Sequence, residues 1–277
     1  MCDRSLISIP PSPHSTLSPP AAGAEREPFS TVRGTRSVLH IVLVLAPPAG
    51  SGHVGIAVRH FTQPRVLRLA VIAALATAGA CYPRLALWPK RPSPMWFVEA
   101  VIFLGTTVLW GFVFAWHTHY THRPVFTFKV EPKPFVAATL AGLCGAITLH
   151  FFLDPSLRLT TPEDYPANLE QWLATTLFSL SFSQLFLVFA PFAWLIRLFQ
   201  NRWIATVLTI LLGVFVLVLK TRSSPAPIPP SLFSALLIVR LVSGVLSVLF
   251  YLRGGLLLVW WLGFLIEARH LLNLVSN

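Results

Sequence analysis

Residues 256–277 read LLLVWWLGFLIEARHLLNLVSN. The apolar run from Gly255 to Ile266 is membrane-grade but short: at 1.5 Å per residue it covers about 18 Å of a hydrocarbon core about 30 Å thick. A helix here reaches full length only by continuing through Glu267, Arg269 and His270. Those side chains then lie at membrane depth and face protein or water rather than lipid. The stretch therefore reads as the last crossing of a helical bundle, with a polar group built into it.

The composition agrees. The chain has 277 residues, 55% hydrophobic and only 11% charged, with a mean hydropathy of +0.69. Soluble domains carry about 25% charged residues. The net charge of +11 is therefore no nucleic-acid footprint. Its Lys and Arg lie in the N-terminal tail and between apolar runs, where they orient helices and meet lipid head groups. The three cysteines, Cys2, Cys81 and Cys144, form no CxxC and no readable disulfide framework.

Residues 1–37 are rich in Pro, Ser and Arg, cannot bury a core, and lack the layout of a signal peptide. Residues 1–60 form a disordered or weakly structured tail on this reading, because the apolar stretch inside them is too short to span and is broken at Pro47-Pro48. Spans follow at 66–82 (closed by Pro83), 96–116, 134–153, 172–196, 203–219, 231–251 and 255–266. The fold class is all-α, a polytopic transmembrane bundle of six to eight helices. It divides into N-terminal helices, 61–153, and a C-terminal bundle, 154–277. The acidic 154–171 loop should face outward and the basic loops on either side inward. The basic 83–95 loop conflicts with that alternation unless the first span is an incomplete crossing.

Several polar groups invite chemistry. His117, His119 and His122 resemble metal ligands, but their spacing fits no strong zinc pattern and no Cys or acidic residue stands beside them. They read as an interfacial loop anchored by Trp116 and Tyr120. Ser179, Ser181, Ser183 and Gln184 can bond neighbouring helices, and Pro191 should kink theirs. Arg240 falls in mid-span and needs a partner, for which Glu267 is the acidic candidate.

From about Trp172 to Asn273 the chain resembles the CPBP family of intramembrane proteases, the CAAX-protease and bacteriocin-processing group. That family carries Glu-Glu-x-x-x-Arg, Phe-x-x-x-His and His-x-x-x-Asn motifs in order. In APFAWLIRLF, Arg197 matches the Arg, but Phe192 and Ala193 replace the two Glu. In GVFVLVLK, Phe215 matches and Leu219 replaces the His. In EARHLLNL, Asn273 matches, and strict spacing puts Arg269 rather than His270 at the His position.

The resemblance implies a site built from Arg197, Glu267, His270 and Asn273, with His270 as a metal ligand. Phe192, Ala193 and Leu219 can neither accept a proton nor bind a metal, so the implied protein is a non-catalytic scaffold or binding protein that needs no cofactor. One alternative is an active endopeptidase using a divalent metal such as zinc at a displaced site of Glu267, His270 and His150. Another is an unrelated small transporter. The expected partners are the lipid bilayer and a membrane-embedded peptide or protein, with no nucleic acid. The expected location is the plasma (inner) membrane of a bacterium.

Overall fold

Four of the helices begin where the sequence supplies a start signal. The computed structural model describes residues 63–87, 93–121, 123–127, 131–162, 165–223 and 228–275. The N-terminal tail, His122 and the Asn273 side chain lie outside them. Among the described residues there are only helices. Helix α1, Pro64–Ala86, and helix α3, Pro132–Thr160, open on prolines, whose missing N–H costs nothing in a first turn. Helix α4, Leu169–Phe199, is capped by Asn168, whose Oδ1 accepts from the Gln171 N–H at 2.8 Å. Helix α5, Arg202–Arg222, is capped by Asn201, which accepts from Trp203 and Ile204. Helix α2 is Met95–Thr121.

Three expectations shift. The first helix does not close at Pro83, which sits inside its last turn, and Leu87 donates back to the Pro83 carbonyl at 3.1 Å. His117 and His119 are helical rather than in a loop, because a wide π-turn at Val113–His117 carries α2 through to Thr121. Pro191, where a kink is expected, is preceded by π-turns at Ser179–Ser183 and Leu185–Phe189. A proline cannot donate to the preceding turn, and an extra residue in the ladder accommodates the freed carbonyl. Pro155 follows the π-turn Leu149–Leu153 in the same way. The division drawn at 153/154 falls inside α3, which runs on to Thr160.

The last helical stretch, Pro230–Val275, holds 46 residues. Straight, it would measure about 69 Å, more than twice the hydrocarbon core. It folds back at Gly255, whose φ of 70° and ψ of −160° are open to glycine alone. A Cβ there would meet the Val125 carbonyl oxygen at 2.7 Å. The two arms are α6, 230–254, and α7, 256–275. Arg240 and Glu267, Ser247 and Leu262, and Gly244 and Ile266 are near mirror pairs about this turn, and all line one cavity. That is possible only in a hairpin.

Among the described residues six helices are long and apolar enough to span a membrane, and the last of them is doubled at Gly255. The chain is a multi-pass integral membrane protein. The short terminal run is completed by α7 continuing through Glu267, Arg269 and His270.

Small residues let the helices close up. Gly142 of α3 receives Leu265 of α7, and Trp261 Nε1 donates to Thr139 Oγ1 at 2.9 Å. Trp110 of α2 donates to Thr77 of α1 at 2.9 Å. The fully buried centre is Leu185, Phe189, Phe192, Ala193, Tyr251 and Leu256. Large apolar side chains such as Trp203, Leu140 and Ile147 face outward, as lipid contact requires.

One end of the bundle gathers Arg65, Arg68, Arg123, Lys133, Arg197, Arg202 and Arg253. The opposite end carries Asp154, Glu170 and the 161–168 connection. Because α1 is a full-length helix, Arg84 also falls at the Asp154 end, and incomplete crossing does not explain its charge.

Candidate functional site

Two polar regions adjoin each other in the bundle, and Glu267 belongs to both. The first is a buried ion-pair network. Asp154, at the end of α3, has its side chain 2% exposed. It accepts from Arg269 Nε at 3.2 Å and from Tyr165 Oη at 2.8 Å, and His150 Nδ1 lies 4.0 Å away. Arg269 also donates to the Ile266 carbonyl at 2.8 Å. The Arg158 guanidinium lies over the Tyr165 ring at 5.4 Å. Burial, reinforced by the hydrogen bond to Asp154, pushes the Tyr165 phenol above its ordinary value, so it remains a donor.

Two residues before Arg269 on α7, the Glu267 carboxylate accepts from Ser179 Oγ at 3.0 Å and lies 3.8 Å from His270 Nε2. Its backbone carbonyl accepts from Trp172 Nε1 at 2.9 Å. These bonds hold α7 against α4 at a point where α7 is polar.

The second region is a cavity of about 170 Å³ between α4, α5, α6 and α7. Its polar walls are Ser179, Gln184, Thr209, Arg240, Ser243, Ser247 and Glu267. Arg240 is ten residues into α6, about 15 Å from its start and so close to mid-bilayer. The guanidinium lies flat on Gly213 of α5, where a Cβ would meet Nη2 at 2.8 Å. The expected Arg240–Glu267 ion pair is not formed. Among the described residues no carboxylate lies within 4.0 Å of Arg240, because Ser179 and His270 hold Glu267 toward α4 and its own helix.

Toward the Asp154 end, Glu267 also lines an open cavity of about 530 Å³ with Tyr165, Lys220, Arg269 and His270. Toward the basic end the buried rings of Phe189, Phe192 and Tyr251 fill the bundle. The polar space between α4, α5, α6 and α7 is a cup beside these rings.

Of the residues singled out by the protease resemblance, Glu267 and His270 meet, and Arg197 does not join them. Ser179 marks the level of Glu267 on α4, and Arg197 lies eighteen residues further along, about 27 Å away. There its guanidinium stacks 4.2 Å from the Trp116 ring. Phe192 and Ala193 are fully buried core, while Phe215 and Leu219 face outward. Asn273 lies on α7 beyond His270.

Nor do the described residues fit a metal. Among the described residues no three His, Cys, Asp or Glu side chains gather as ligands. Glu267 and His270 offer two, and His150 leans on Asp154 instead; a catalytic zinc normally has three protein ligands. His117 and Tyr251 stack at 4.4 Å in the core of the other end.

No family model, curated protein or solved structure matches the chain. The protease resemblance thus rests on the motif residues alone. The sequence reading missed the Asp154–Arg269 pair and the Gly213 shelf. Two opposite charges just inside the ends of apolar runs were the available signal for the first.

Proposed function

We propose that the protein is a non-catalytic, membrane-embedded binding protein whose cup receives a small zwitterion of the amino-acid type. The observation that carries this is one cavity with a guanidinium on one wall and a carboxylate on another, the two not paired with each other. An unpaired Arg in mid-bilayer costs a few kcal/mol and persists where it has work to do. Its planar fork suits a carboxylate, and Glu267 suits an ammonium group. The cavity holds the equivalent of about six water molecules, which limits the ligand to a handful of heavy atoms. Binding rather than passage is favoured by the aromatic plug beside the cup.

The test is thermal unfolding of the purified chain with glycine, alanine, acetate and methylamine. Glycine or alanine should raise Tm, acetate and methylamine should not, and Arg240→Gln or Glu267→Gln should each abolish the rise. No shift with any zwitterion, or a shift that survives both substitutions, overturns the reading.

The 3.8 Å approach of Glu267 and His270 favours a second reading, in which this pair activates water for peptide hydrolysis. Incubation with prenylated or leader-bearing peptides, with and without chelator, is expected to give no product. Cleavage that disappears in His270→Ala would replace the binding reading.

A further inference from the structure

At the opposite end from the cup, the hairpin turn of α6 and α7 borders an open groove of about 700 Å³. Its walls carry three cations, Arg123, Lys133 and Arg253, against one carboxylate, Glu131. Among the described residues none of the three is within 4.0 Å of a carboxylate. Arg123 is fixed by donating to the Leu252 carbonyl across the groove. Lys133 and Arg253 are exposed and line the open space. A net positive groove at the end of a membrane bundle selects an anion.

The groove also has a membrane-facing continuation. Ala137 of α3 lines it. Continuing along the same helix, Leu140, Cys144, Ile147 and Phe151 are all exposed. These positions recur at intervals of three and four, so they form one stripe down α3. From Ala137 to Ile147 the stripe runs about 15 Å, the depth of one leaflet's hydrocarbon. A free anion would use the groove and ignore the stripe. A lipid uses both.

We propose that this groove is a specific site for an anionic glycerophospholipid, its phosphate between Arg123, Lys133 and Arg253 and an acyl chain along Leu140, Cys144 and Ile147. The site lies where the two arms of the hairpin meet α3, so an occupant would brace the base of the hairpin that frames the cup. It stands independently of what the cup binds.

Native mass spectrometry of the full chain, released from detergent with equal phosphatidylglycerol and phosphatidylcholine, reads the site directly. Phosphatidylglycerol should be retained at least tenfold over phosphatidylcholine. Lys133→Gln with Arg253→Gln should remove the preference, and each single substitution should reduce it. Arg65→Gln, at the same end but away from the groove, should leave it unchanged. Inorganic phosphate at the lipid's concentration should not displace the lipid. Equal retention of both lipids, an unchanged preference in the double variant, an equal loss in Arg65→Gln, or displacement by phosphate would each overturn the proposal. Both target residues are exposed, so their substitution leaves the packing intact, and a monodisperse elution profile checks this.

Discussion

Replacing Asp154 by Asn would leave the Arg269 guanidinium in a nearly dry site without its counter-charge. Breaking a buried pair from one side costs about 3 kcal/mol, and thermal unfolding of Asp154→Asn should show a loss of that order. Arg240 is the opposite case, since among the described residues it has no ion pair to lose. Arg240→Leu should relieve about 2–3 kcal/mol of mid-bilayer charge cost, so Tm should rise while zwitterion binding disappears; a fall in Tm would mean a counter-charge exists after all. Tyr165 supplies a pH test. Its phenol is held above the ordinary value by burial and by Asp154, so the folded state keeps a proton that the unfolded chain releases. Stability should be level below about pH 10 and fall as pH rises beyond it. Tyr165→Phe should lack that alkaline fall.

Among the helices, Gly255 is the position where one methyl group matters most. Its backbone angles exclude other residues and the Val125 carbonyl fills the space a Cβ needs. Gly255→Ala should lower stability by about 2 kcal/mol or more, read as a drop in Tm. Gly213→Ala is subtler: the methyl meets only the far end of a flexible side chain, so the fold should survive. The guanidinium must lift off α5, and ligand affinity should weaken about tenfold, roughly 1.4 kcal/mol. The existence of each helix was legible in the sequence, because apolar run length is a local property. The doubled C-terminal hairpin was legible too, as separate runs at 231–251 and 255–266, the second too short to end at Ile266. Helix ends were less so: a π-turn lets α2 absorb His117 and His119, and nothing local marks that. The partners of Arg240 and Glu267 were illegible because apolar periodicity does not say which helix stands beside which. Proximity in sequence order favoured pairing the two, whereas α4 intervenes with Ser179.

For the whole molecule, the basic end should lie in the cytoplasm and the cup should open outward. In a background without native cysteines, Ala167→Cys should react with a membrane-impermeant maleimide on intact cells, and Asn201→Cys only after permeabilisation. The reverse pattern would turn the cup inward. The α7 helix has a further consequence, for how the protein is made. Its apolar run is too short to partition into lipid unaided, and its charged turn is held by Asp154 of α3 and Ser179 of α4. Both partners precede it on the ribosome. Stable insertion of α7 should therefore wait for a bundle already standing in the membrane, which makes α7 a reporter of whether the earlier helices have assembled.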